Sequence, residues 1–196
     1  MRPDLGIIME WIAAGSRVLD LGCGDGTLLA ELTRQKGVHG WGIENNPHDI
    51  SHCIAQGVNV IEHDLDQGLA EFRTQRFDTV VMSLALQAVR FPDLILDEML
   101  QIGRECIVTF PNFGHWSCRH DIGLRGRMPR SDFLPHEWYN TPNIHFCTIA
   151  DFEALCRKKN FQILNQRVVD RHYRSNPLMR RWPNLLAEIA IYRLTR

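Results

Sequence analysis

The sequence predicts one α/β domain built on a mostly parallel sheet, and three observations carry that expectation. Short β-branched runs alternate with segments of helical periodicity through most of the chain, the pattern of strands joined by crossover helices. The first of those runs ends in a glycine-rich turn, Gly22-Cys23-Gly24-Asp25-Gly26, at the place where open α/β sheets bind their ligands. At 196 residues, 44% hydrophobic and 23% charged, the chain has the size of a single core and the composition of a globular protein. Residues 1–196 are therefore expected to form a single domain.

The elements follow in order. Arg17-Val18-Leu19-Asp20-Leu21 reads as the first strand. Asp25 is expected to cap a helix whose Leu28, Leu29 and Leu32 share one face, and Lys36-Gly37 to stop it. Residues 40–44 form a second strand, 48–55 a short helix, 58–61 a third strand and 77–82 a fourth. The fourth ends in the unbroken apolar run Val80-Val81-Met82, as expected of a central strand buried on both faces. Pro92 opens a helix through Gln101, because proline is tolerated in a first turn, and residues 105–110 form strand five. From 112 to 146 the periodicity fails and Gly, Pro, Trp, His and Arg are dense. So long an irregular stretch inside a compact domain reads as a lid or binding loop. A helix at 149–159 and strands at 161–169 and 187–194 bring the strands to seven. Between those strands residues 171–184, basic and holding Pro177 and Pro183, read as a loop or short helix.

Charge and composition exclude several function classes. The 22 Lys and Arg against 23 Asp and Glu give a net charge of −1, whereas a general nucleic-acid coat needs a surplus of cations to displace counterions. No apolar run reaches the roughly 18–20 residues of a membrane span, and Met1-Arg2-Pro3-Asp4 lacks the layout of a signal peptide. Neither nucleic acid nor membrane is expected as a partner. Cys23, Cys53, Cys106, Cys118, Cys147 and Cys156 show no C-x-x-C spacing and read as reduced thiols of a cytoplasmic protein.

The stretch Asp20-Leu21-Gly22-Cys23-Gly24-Asp25-Gly26 is the most informative. Its glycines let a ligand approach the backbone. A dinucleotide fingerprint would need glycine where Thr27 stands. A phosphate would also meet the carboxylates of Asp20 and Asp25 on both sides of the turn, against the attraction of the helix N-terminus. Those acids suit a ligand with a positive end and no phosphate, such as S-adenosylmethionine with its sulfonium and ammonium. Glu44 ends the second strand, 24 residues after Asp20, where an acid accepts hydrogen bonds from ribose hydroxyls. Asp64 follows the third strand and either reaches an adenine amino group or caps a helix.

These residues resemble the class I S-adenosylmethionine-dependent methyltransferases. The resemblance implies a Rossmann-like, seven-stranded sheet with one antiparallel strand and helices on both faces, binding S-adenosylmethionine or S-adenosylhomocysteine. It places Asp20 in the binding turn, Gly22, Cys23 and Gly24 along the methionine end, Glu44 and Asn45 around the ribose, Asp64 and Leu65 at the adenine, and Ser83 toward the methyl group. The acceptor side is less legible. Ser83-Leu84-Ala85-Leu86-Gln87 carries no Asn-Pro-Pro-aromatic motif, and Gln87 is its one extended polar group. His115, His120, His136 and His145 are available as bases, although loop histidines more often serve as surface residues or local hydrogen-bonders. The spacing of His115, Cys118 and His120 does not match a zinc site. No catalytic residue is assigned and no metal is expected.

Three further runs, Phe110-Pro111-Asn112-Phe113-Gly114-His115-Trp116, Gly123-Leu124-Arg125-Gly126-Arg127-Met128-Pro129 and the stretch from Leu134-Pro135-His136-Glu137-Trp138-Tyr139 to Cys147-Thr148, resemble the MetW family of methionine biosynthesis proteins. The glycine turn and the Asp151-Phe152 helix match as well. That resemblance implies a methyltransferase-like protein working with a homoserine O-acyltransferase; it supplies no methyl acceptor. In the irregular segment Trp116, Phe133, Trp138 and Tyr139 offer aromatic anchors, and Arg119, Arg125, Arg127 and Arg130 planar donors, the residue types enriched at interface hot spots. They serve either a partner or a lid over the cofactor. Arg167, Arg171, Arg174, Arg180 and Arg181 read as a solvated basic face. The expected function is that of a cofactor-binding accessory subunit of the acyltransferase. The alternative is an active methyltransferase on a small-molecule acceptor.

Overall fold

Each of the seven runs expected as a strand lies within two residues of one in the computed structural model, which describes residues 3–131 and 134–196. The strands are β1 (Arg17–Leu21), β2 (His39–Glu44), β3 (Asn59–Glu62), β4 (Phe77–Ser83), β5 (Gly103–Pro111), β6 (Gln162–Val169) and β7 (Ile189–Thr195). They form one sheet in the order β3-β2-β1-β4-β5-β7-β6. β1 to β5 pair in parallel, and β7 runs antiparallel to both β5 and β6. The chain order reverses between β1 and β4, so a crevice opens at their carboxyl ends.

Side chains alternate across the sheet and divide the core into two layers. Val80 and Met82 of β4 join Leu19, Val108, Met99 and Phe152 on one side. Val81 joins Val18, Ile107, Leu29, Leu32 and Ile8 on the other. The expectation that β4 is buried on both faces therefore holds. Helices α2 (Thr27–Lys36), α3 (Pro47–Ala55), α4 (Pro92–Ile102) and α6 (Ile149–Lys159) lie where periodicity places them. Thr148 and Asp151 close a reciprocal capping box on α6.

Three points of the sequence reading need correction. Helix α1 (Pro3–Trp11) was not anticipated, although Leu5, Ile8, Met9 and Ile12 are spaced for one buried stripe. The segment 112–146 is not irregular throughout, since it contains helix α5 (Trp116–Arg125), which ends at a left-handed Gly126. Only Cys118 of α5 is buried, and its cap is His115 rather than Ser, Thr, Asp or Asn, so neither periodicity nor capping marked it. The cap of α2 is Gly26, not Asp25; Asp25 stands one residue earlier, its Oδ1 accepting from the Thr27 amide at 3.0 Å. Residues 171–184, expected as a loop or short helix, hold the short helix α7 (Pro177–Arg181) and the start of a second, α8 (Pro183–Leu186), each opened by a proline.

Candidate ligand-binding cleft

The glycine turn is built by β1 and tied down by β2. The amides of Gly22 and Cys23 both donate to the Ile43 carbonyl, at 2.8 and 3.1 Å. Gly22 and Gly24 adopt φ values of 67° and 56°, a left-handed conformation that is costly for residues with a Cβ. The Cys23 side chain turns into the protein, with its Sγ 3.8 Å from that of Cys53. Gly42 makes room for it, because a Cβ there would stand 2.4 Å from the Cys23 sulfur. Burial pushes the Cys23 thiol well above its usual pKa, so this residue offers the cleft its backbone and not a nucleophile.

Glu44 does more than the sequence indicated. Its Oε2 accepts from the Gly24 amide at 2.9 Å, and its Oε1 accepts from the amides of Asn45 and Asn46 at 2.9 and 3.0 Å. One carboxylate thus clamps the glycine turn to the end of β2. Its two oxygens offer about four acceptor sites, so capacity remains for a ligand hydroxyl.

Two adjoining cavities open above these strands. One, of about 510 Å³, is lined by Asp20, Gly22, Cys23, Gly24 and Leu5. The other, of about 860 Å³, is lined by Glu44, Asn45, Asp64, Leu65 and Ala85. Gly22, Asp49 and Ser83 border both. Each residue named from the sequence for cofactor binding therefore faces one continuous cleft of ligand size. Asp20, Asp25, Glu44, Asp49, Asp64 and Asp66 line it, and the lining holds no Lys or Arg among the described residues. That field favours a cationic ligand group over a phosphate.

The structure also places residues the sequence left ambiguous or missed. Asp64 caps a single 3₁₀ turn (Leu65–Gln67), accepting from the Asp66 amide at 3.0 Å, and lines the cleft as well. Ser83 Oγ lies 3.4 Å from Oδ2 of the buried Asp4 on α1 and 3.3 Å from Thr109 Oγ1. Leu5 of α1 and Asp49 of α3 join the lining from elements with no motif of their own; the apolar stripe of α1 was the available signal for Leu5. Leu84, at φ 58°, holds a left-handed conformation in the cleft wall, an uncommon strain for a bulky residue and one that gathers at functional sites.

Of the four histidines considered as bases, His136 alone lines the cleft. His115 is buried as the cap of α5, with Nδ1 2.7 Å from Ser117 Oγ, and desolvation lowers its pKa. His120 lies beside Asp121, and His145 Nε2 meets the Arg90 carbonyl at 3.1 Å. Gln87 is only 2% exposed and donates its side-chain amide to the Pro111 carbonyl at 3.1 Å, so it is withdrawn from the acceptor side. Trp116, Trp138 and Tyr139 are 54%, 74% and 69% exposed and do not line the cleft. Phe133 lies outside the described residues. Among the described residues no helix is long and apolar enough to cross a membrane.

Comparison with known proteins places this architecture. The chain is 37% identical, over 94% of its length, to the bifunctional methionine biosynthesis protein MetXA/MetW of Rhodopirellula baltica, and it spans 31% of that relative. It is 27% identical to a ubiquinone biosynthesis O-methyltransferase of Nitrosococcus oceani, across 86% of this chain and 71% of that one. An S-adenosylmethionine-dependent methyltransferase from Mesorhizobium loti superposes with a TM-score of 0.69 at 16% identity, covering 99% of this chain and 96% of that one. At that identity the likeness concerns the fold. The family model described as methionine biosynthesis protein MetW matches residues 2–194, and the chain belongs to that family.

Proposed function

We propose that this protein is an S-adenosylmethionine-binding accessory subunit of a homoserine O-acyltransferase in methionine biosynthesis. The observation that carries the partner is the bifunctional MetXA/MetW relative, of which this chain matches 31%. The two parts are fused there, and we take the MetXA part as the counterpart of a separate acyltransferase here. In the cleft Asp20 and the glycine turn would hold the cationic methionine end, Glu44 and Asn45 the ribose, and Asp64 and Leu65 the adenine. S-adenosylmethionine would bring an electrophilic methyl group to Ser83. The wall around that position is largely apolar, formed by Leu84, Ala85, Ala88 and Val89, and the nearby Gln87 amide is engaged inside the protein. A methyl acceptor would find few groups there to orient it, as in-line transfer requires. Fold alone does not confer the reaction.

One observation favours a second reading, methyl transfer to a small molecule: His136 faces the cleft and could serve as a base. Acyltransferase activity measured with and without this protein, at fixed homoserine and acyl-CoA, separates the two. Activation or co-purification supports the accessory subunit. No association and no change in activity, with turnover of a small acceptor by the isolated chain, would replace it with the enzyme.

A further inference from the structure

We propose that a groove beside the cleft, between residues 126–130 and 136–138, receives an acidic segment of the acyltransferase subunit, and that His136 links its occupancy to the ligand in the cleft. The inference rests on the accessory-subunit reading and names its surface and its regulation. The groove has a volume of about 490 Å³ and is lined by Arg127, Arg130, Met128, His136, Glu137 and Trp138. Glu137 is paired with Arg130, whose Nε also donates to the Pro135 carbonyl, so among the described residues of this lining Arg127 is the guanidinium with no ion pair, beside the apolar Met128, Pro129 and Trp138. An acidic side chain flanked by an apolar one fits that lining, since guanidinium groups bind carboxylates in a planar fork and aromatic faces supply buried area. Trp138 and Tyr139 stand edge to face at 5.6 Å on the outer rim, both largely exposed.

His136 belongs to both cavities, lining the groove with Trp138 and the cleft with Glu44, Asp64 and Ser83. Pro142 and Asn143 of the same segment also face the cleft. The segment is fastened where the ligand would touch. The amides of Ile144 and His145 donate to the buried Gln87 carbonyl at 2.9 and 3.1 Å, and Gln87 sits in the turn whose Leu84, Ala85 and Ala88 form the cleft wall. Between residues 135 and 140 the side-chain hydrogen bonds among the described residues are local and exposed, such as the Glu137 amide to Asn140 Oδ1 at 2.9 Å and Arg130 to the Pro135 carbonyl at 3.2 Å. A segment held that way can move as a unit at small cost. Occupants on its two sides are therefore coupled, and the coupling is reciprocal.

The test is calorimetry on the full chain with the homoserine O-acyltransferase of the same cell and with S-adenosylhomocysteine. Saturating S-adenosylhomocysteine should change the Kd for the acyltransferase by about 5-fold or more, and the acyltransferase should change the Kd for S-adenosylhomocysteine by the same factor. His136→Ala should bring that factor toward 1, whichever way the separate affinities move. Arg127→Glu should weaken the acyltransferase about 10-fold or more and leave the Kd for S-adenosylhomocysteine unchanged, because Arg127 does not line the cleft. An acyltransferase that binds with a Kd indifferent to S-adenosylhomocysteine and to Arg127→Glu overturns the groove and the coupling while the accessory-subunit reading stands. Coupling that survives His136→Ala overturns the link through that residue. No binding of the acyltransferase at all overturns both, and no binding of S-adenosylhomocysteine overturns the coupling together with the cofactor assignment.

Discussion

Replacing Glu44 by alanine tests the cleft at the side chain that ties the glycine turn to β2 and is proposed to accept the ribose hydroxyls. The carboxylate accepts three backbone N–H groups, from Gly24, Asn45 and Asn46. The amides of Asn45 and Asn46 belong to exposed residues, so water replaces the lost acceptor there at little cost. The Gly24 bond is part-buried, and losing a hydrogen bond to a charged group costs about 1.5–3 kcal/mol. A domain of this length loses about 2–4 °C in Tm per kcal/mol, so the variant should melt roughly 3–12 °C lower. The ribose hydroxyls would lose their acceptor as well, a second charge-assisted term of the same size, which corresponds to about 10–150-fold in Kd for S-adenosylhomocysteine. Calorimetry reads the second effect and a thermal melt the first. Unchanged affinity would remove the ribose assignment and leave the clamp. An unchanged Tm would remove the clamp. Failure of the parent protein to bind either S-adenosylmethionine or S-adenosylhomocysteine would end the cofactor reading.

Legibility in the sequence followed the range of the interactions involved. The glycine turn, Asp20 and Glu44 were readable because consecutive residues at a strand end perform one task, and the β-branched runs were readable because strand periodicity is local. Asp64 stayed ambiguous for a physical reason, since the same carboxylate caps a 3₁₀ turn and lines the cleft. Trp138 could not be assigned to lid or surface, because that depends on which way a non-periodic segment turns, and only tertiary packing against Gln87 and Phe113 decides it. The inward turn of Cys23 also lay beyond the motif. It depends on Gly42, a strand glycine about twenty residues away whose missing Cβ is the space the sulfur fills. Helix α5 was hidden because its exposed face carries Trp116, Ile122 and Leu124, a distribution that erases the amphipathic signal.

Three further outcomes are expected. Trp138→Ala should weaken the acyltransferase complex by about 2 kcal/mol or more, roughly 30-fold in Kd; with the indole 74% exposed, Tm should not change, and a lowered Tm would mark it as a core residue instead. Gly42→Ala would set a Cβ against the Cys23 sulfur and should cost about 1–3 kcal/mol by overpacking, with much of it recovered in Gly42→Ala/Cys23→Ala; parental stability in the single variant would contradict the packing argument. The last concerns pH. His115 is buried, caps α5 through Nδ1 and stands 4.0 Å from Glu188, and desolvation holds its pKa in the folded protein below the ordinary 6.5. A histidine so depressed takes up its proton more readily when unfolded, so its contribution is intact above the unfolded value and stability falls as pH drops below about 6.5. Asparagine is a good helix cap that does not titrate, so His115→Asn should keep α5 capped and flatten that loss. Urea midpoints at pH 7.5 and 5.0 for both proteins measure it, and an equal fall in the two would show that the acid sensitivity arises elsewhere.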